Sequence, residues 1–112
     1  ESLYFANARF LEQRILEIIA DNKNAKHLIL MCSAINDIDG SALEILETLN
    51  EQLKYLKIGF HLSEVKGPVM DSLKRSHFID DLNGKVYLSQ FQAYKELSCI
   101  STSSKPINES LS

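Results

Sequence analysis

The chain has 112 residues, 45% of them hydrophobic, which is enough apolar surface for one continuous core and too little length for two ordinary domains. Twelve basic and fifteen acidic side chains leave a formal charge of -3, against the strongly basic balance that a phosphate backbone demands, so nucleic acid is not an expected partner. The two cysteines, Cys32 and Cys99, lack the dense spacing of a disulfide scaffold, and a reducing compartment fits them best. No apolar run approaches the roughly 20 residues that cross a bilayer, so the isolated chain is not expected to insert into a membrane.

In chain order, Leu3-Tyr4-Phe5 reads as a short strand that enters a helix, in which Phe10, Leu11, Ile15, Ile18 and Ile19 recur at helical spacing. Asp21-Asn22-Lys23-Asn24 ends that helix. The apolar run from His27 to Cys32 is expected to be a strand buried on both faces near the centre of a parallel sheet. A polar loop follows, and then Ala42, Ile45, Leu46, Leu49, Leu53 and Leu56 keep an amphipathic register for about four turns. Ser41 stands three residues before Glu44, a capping-box pattern that places the start of this helix at Ser41.

Beyond Gly59, Phe60-His61-Leu62 reads as another strand, and Gly67-Pro68 opens a shorter helix with Val69, Met70 and Leu73 on its inner side. Val86-Tyr87-Leu88 gives a last strand, and Phe91, Tyr94, Lys95 and Leu97 a closing helix. The fold class is therefore α/β, a mostly parallel central sheet covered by helices. Residues 1–97 form the domain and residues 98–112, rich in serine, a disordered tail. The opening on strand-like residues suggests that the first strand of the fold lies upstream of Glu1.

Little in the chain carries chemistry. The four glycines fit neither a dinucleotide fingerprint nor a phosphate loop, and the three histidines share no metal-ligand spacing, so no cofactor or metal is expected. Cys32 with His61 on a neighbouring strand could form a nucleophile pair, but a buried cysteine is more often an inert small hydrophobe. Asp37 and Asp39 before a helix start are better read as loop and cap residues than as an acid-base pair. No enzyme is expected.

Charge is more informative. From His27 to Leu53 there is no Lys or Arg, while Asp37, Asp39, Glu44, Glu47 and Glu51 all fall there. In a parallel sheet the loop after Cys32 and the loop after Leu62 emerge at the same edge. Asp37, Asp39, Gly40, Ser41, Glu44 and Glu47 would then join Glu64, Lys66, Gly67 and Pro68 in one partner-docking surface, acidic on its first side.

Three segments, Leu3-Tyr4-Phe5-Ala6-Asn7-Ala8, Asn36 to Glu44 and Glu64 to Asp71, resemble successive signatures of the STAS domain at the C-terminus of SulP-type sulfate permeases. The resemblance implies a regulatory, non-catalytic domain on the cytoplasmic side of the inner membrane, attached to a sulfate or other anion transporter. Its implied partners are the transmembrane domain of the same transporter and a soluble regulatory protein, with a homodimer as the candidate assembly of the full-length protein. The alternative is a free-standing anti-sigma-factor antagonist of a phosphorylation-controlled partner switch. In that branch the loop resembles Asp-Ser-Ser-Gly-Leu. Here Asp39-Gly40-Ser41-Ala42-Leu43 keeps one hydroxyl, so Ser41 is the candidate phosphoacceptor, and a helix cap before that.

Overall fold

The computed structural model describes the backbone of residues 2–100 and 107–110 and the side chains of residues 2–97. Its elements are β1 (Ser2–Leu3), α1 (Phe5–Asp21), β2 (His27–Met31), β3 (Asp37–Ile38), α2 (Gly40–Tyr55), β4 (Gly59–Ser63), α3 (Gly67–Arg75), α4 (Phe78–Asp81), β5 (Val86–Tyr87), α5 (Gln90–Ile100) and β6 (Ile107–Ser110). A four-stranded parallel sheet has the order β5-β4-β2-β6, and β1 pairs in parallel with β3 in a separate two-stranded sheet. The chain is thus α/β with parallel sheets covered by helices, and β2 is an interior strand, as its unbroken apolar run requires.

Alternation along the strands sends side chains to two cores. Leu28 and Leu30 of β2 and Phe60 and Leu62 of β4 face α1, α2 and α3, and none of the four is more than 1% exposed. Ile29 turns to the opposite face, where it meets Tyr87 together with Ala93 and Leu97 of α5. Burying a Leu, Ile or Phe side chain stabilises by about 1.5–3 kcal/mol, so these residues outweigh any single polar contact at the surface.

The α2 pattern is realised in detail: Ala42, Ile45, Leu46, Leu49 and Leu53 are buried, with Asn50 among them. Leu56 lies beyond the helix end and is half exposed. There the chain reverses through Lys57 at φ 61, and Ile58 N–H donates to Leu53 O at 2.8 Å, the Schellman closure of a helix C-terminus.

Several local expectations need correction. The segment Leu3-Tyr4-Phe5 contributes only Leu3 to a strand, because α1 starts at Phe5 after Asn7 Oδ1 accepts from Tyr4 N–H at 2.8 Å. Phe10 is 64% exposed, and the buried stripe of α1 runs through Ala8, Leu11, Ile15 and Ile19 instead. Helix α2 starts at Gly40, with Asp39 rather than Ser41 as its N-cap. The polar loop before it contains β3, and α4 lies in a stretch given no helix. The side chains of residues 98–112 lie outside the described residues, as do residues 101–106, 111 and 112 altogether. Within that tail, Ile107–Ser110 runs beside Leu28 to Met31.

Candidate partner-docking site

The C-terminal ends of the parallel strands gather the segments singled out by charge. Cys32 N–H donates to Ser63 O at 2.8 Å, which carries the β2–β4 ladder one residue further and delivers both chains to the same edge. From there the first chain passes through Asn36 to β3, and the second through Glu64 to α3. Lys66 Nζ closes the gap between them by donating to Asn36 Oδ1. The two loops are neighbours, as the parallel topology demands.

Asp39, Ser41 and Asp37 order the first side of the rim. Asp39 is fixed first, because its N–H donates to Leu3 O at 3.0 Å and holds it in extended backbone beside β1. Its Oδ1 then accepts from Ala42 N–H and from Ser41 Oγ, both at 2.8 Å. The Ala42 amide, with the Ser41 hydroxyl after it, lowers the Asp39 pKa below its ordinary value. Ser41 therefore supports the cap rather than providing it. Asp37 is exposed and accepts from the following amide, Ile38 N–H, at 2.9 Å.

Gly40 and Gly67 have open space where a Cβ would stand, so nothing packed nearby requires glycine at either position. Lys66 is the N-cap residue of α3 without a side-chain cap bond, and Pro68 occupies its first turn, where the missing N–H costs nothing. Glu64 has φ 55, and its Oε2 accepts from Gln90 N–H at 3.1 Å. Its carboxylate thus caps the start of α5, which leaves it less available to a partner than its sequence position suggests. Glu44 and Glu47 are exposed on α2, Glu47 about one turn further from the rim.

Sequence reasoning missed two parts of this surface. Leu88, 89% exposed, and Phe91, 75% exposed, follow the C-terminal end of β5 at the same edge, and the sequence pattern assigns them to a strand and a helix without showing that both face water. Phe5 and Arg9 of α1 line a hollow with Ser41 and Glu44, a proximity across the α1–α2 seam that no local pattern encodes.

The reactive pair considered for Cys32 and His61 does not assemble. Cys32 belongs to the core under α1 and α2, whereas His61 points to the α5 face of the sheet. Burial pushes the Cys32 thiol up to about 12 and burial holds His61 down at about 4, so the thiol stays protonated and the imidazole neutral near pH 7. Among the described residues, no group of three or more His, Cys, Asp or Glu side chains could hold a metal ion.

Residues 1–93 match the sequence profile of the STAS domain family. This chain is a STAS domain. Among curated proteins it is similar to sulfate transporter 3.1 of Arabidopsis thaliana, 30% identical over 95 residues, and to sulfate transporter 1.3 of the same plant, 28% identical over 102 residues. These alignments cover 77% and 82% of the domain but only 14% and 16% of the transporters, so the STAS domain spans a small part of the length of these relatives. Among solved structures, a candidate anti-sigma factor antagonist from Thermotoga maritima superposes with a TM-score of 0.67 at 19% identity, covering 85% of this chain and 79% of that one. That likeness establishes the fold. No helix among the described residues of the STAS domain is long and apolar enough to cross a membrane.

Proposed function

We propose that this STAS domain is the cytoplasmic regulatory domain of a SulP-type sulfate or related anion transporter, and that it acts by docking to protein surfaces rather than by catalysis. The observation that carries the reading is the identity near 30% to sulfate transporters, over three quarters or more of this chain. The transmembrane part of the same transporter is then the first partner. The free-standing antagonist has a neighbour in fold only, at 19% identity, and is the weaker reading.

The rim chemistry supports docking. Asp37 and Asp39 follow the C-terminal end of β2, and exposed Leu88 and Phe91 follow that of β5, so the same end of the parallel strands carries acidic and apolar groups that suit a protein partner. The buried thiol and the neutral imidazole supply no nucleophile and base in reach of each other. Ser41 donates its hydroxyl to Asp39, and a phosphate on it would face the carboxylates of Asp39 and Glu44, so docking is constitutive or conformational rather than switched by phosphorylation.

The test is Asp37→Lys with Glu47→Lys in the full-length transporter. Both side chains are exposed, so the fold should survive while anion uptake or partner pull-down falls. Unchanged uptake and unchanged pull-down from a folded double variant would remove the rim from consideration.

A further inference from the structure

Helices α1 and α2 lie side by side on one face of the sheet, and a furrow follows their seam. Arg9 and Glu12 face Glu44 and Thr48 at one end, Leu16 faces Thr48 and Tyr55 in the middle, and Ile19 faces Leu56 at the other end. Thr48, Leu16 and Leu56 each line two successive stretches, so the hollows form one line. Over the 16 residues of α2 its length is about 24 Å, the reach of a helix of similar size.

The floor and the flank of the furrow differ in character. Tyr55 is 86% exposed and Leu56 49%, an aromatic ring and an aliphatic chain left to water beside partly buried Leu16. The flank on α2 carries Glu44 at one end and Glu51 in the middle, two helical turns apart on one side of the helix, whereas Glu47 lines a separate hollow with Phe78 and Asp81. None of the ion pairs Arg9 with Glu12, His77 with Asp80 and Lys85 with Glu96 involves Glu44 or Glu51. Arg9 on the facing wall is already bonded to Glu12 at 2.8 Å, and the basic residue lining the far end is Lys23.

We infer that the α1–α2 furrow seats a basic amphipathic helix, with its apolar stripe on Leu16, Tyr55 and Leu56 and its Lys and Arg residues along Glu44 and Glu51. Helix-in-groove recognition needs apolar anchors at i, i+4 and i+7, and a flank of opposite charge fixes the register. Its source is a cytoplasmic segment of the transporter's transmembrane part, which rests on the function proposed above. The relatives extend far beyond this domain, and loops on the cytoplasmic side of membrane proteins carry an excess of Lys and Arg. This furrow runs along the helical layer, away from Leu88 and Phe91 at the rim.

The chemistry is tested on the 112-residue chain with a synthetic peptide of about 16 residues, Leu at helical spacing and Lys on the flanks, and with its counterpart carrying Glu for Lys. In amide spectra the Lys peptide should shift Leu16, Thr48, Glu51 and Tyr55 and bind at least about tenfold tighter than the Glu peptide. Tyr55→Ala with Glu51→Lys should weaken it at least about tenfold, whereas Asp37→Lys should not. Equal binding of the two peptides, or shifts confined to the rim loops, would overturn the inference. So would concentration-dependent pairing of the domain lost in the same variant, which would assign the furrow to a second copy. The source is tested with a photo-crosslinker at Gln52 of the full-length protein in membranes. Adducts to a Lys- and Arg-rich segment of the same polypeptide are expected, and adducts to a separate protein would overturn the assignment of the occupant. Loss of rim function in Asp37→Lys with crosslinking retained would leave the furrow standing, so the two surfaces fail independently.

Discussion

His61 Nε2 on β4 lies 3.1 Å from His27 Nδ1 on β2, and the backbone sets which ring holds the proton between them. Lys85 N–H donates to His61 Nδ1 at 3.0 Å, so that nitrogen must keep its lone pair. Nε2 of a neutral His61 then carries the hydrogen and donates it to His27. Gly59 gives the pair room, since a Cβ there would stand 2.7 Å from His61 Nε2 and 3.0 Å from His27 Nδ1.

This arrangement makes stability depend on pH with a definite sign. Burial chiefly, then the charges of His27 and Lys85, hold His61 at about 4 in the folded state, against 6.5 for an ordinary histidine. Between those values the unfolded chain binds more protons, so the contribution of His61 is fully present above pH 6.5 and is lost as pH falls through 4. The full difference would amount to about 3 kcal/mol, and solvent reaching the partly buried His27 ring reduces it to on the order of 1–2 kcal/mol. Urea unfolding at a series of pH values should show this slope. His61→Phe should be less stable at pH 7 by about 1–3 kcal/mol, because Lys85 N–H loses its acceptor, and should lose most of the slope between pH 6.5 and 5. An unchanged slope in that variant would sink the assignment.

Asn50 is expected to be worth more than its polar side chain suggests. It is 2% exposed on the core face of α2, its Nδ2 donates to Asp81 O and its Oδ1 accepts from Asn83 N–H, both at 2.9 Å. One side chain thus ties α4 and the approach to β5 onto α2. Asn83 in turn donates its side-chain Nδ2–H to Ile58 O at 2.9 Å, and a Cβ on Gly84 would come within 2.1 Å of Phe60 O, so only glycine lets the chain pass this close to β4. Asn50→Ala would strand two backbone groups and cost roughly 2–4 kcal/mol. Thermal unfolding measures it. A loss below that of an exposed substitution such as Gln52→Ala would contradict the role.

How much of this was legible follows from the range of the interactions. The β2 run and the α2 periodicity depend on burial alone, which a linear pattern reports directly, and Gly67-Pro68 marks the start of α3 because proline has no N–H to lose there. The two-residue β3 exists through its pairing with β1, from a distant part of the sequence, and its composition contains no strand signal. Asn50 in a buried stripe reads as an error until its partners across 31 and 33 residues are known. At the rim, the adjacency of the two loops followed from topology, while the engagement of Glu64 by Gln90 and the exposure of Phe91 depended on where α5 docks.

The start of α2 gives a prediction that separates two caps lying two residues apart. Ser41-x-x-Glu44 and Asp39-x-x-Ala42 are both acceptable cap patterns in sequence, and local rules do not choose between them. The choice is tertiary: Leu3 O accepts from Asp39 N–H at 3.0 Å, holding Asp39 at φ -90 and ψ 168, the extended conformation of an N-cap, so Oδ1 reaches Ala42 N–H. Asp39→Ala should therefore lower the thermal midpoint by several degrees, because it removes the acceptor of both the amide and the Ser41 hydroxyl. Ser41→Ala removes one donor from an exposed carboxylate that keeps its amide bond, and should cost clearly less. The lowered pKa of Asp39 adds a condition. Its contribution is present above the ordinary carboxylate range and is lost as pH falls through the lowered folded value, so the gap between wild type and Asp39→Ala should narrow in acid while that of Ser41→Ala changes little. Calorimetry of both variants near pH 7 and near pH 3 decides it, and a larger loss for Ser41→Ala at pH 7 would return the cap to the serine.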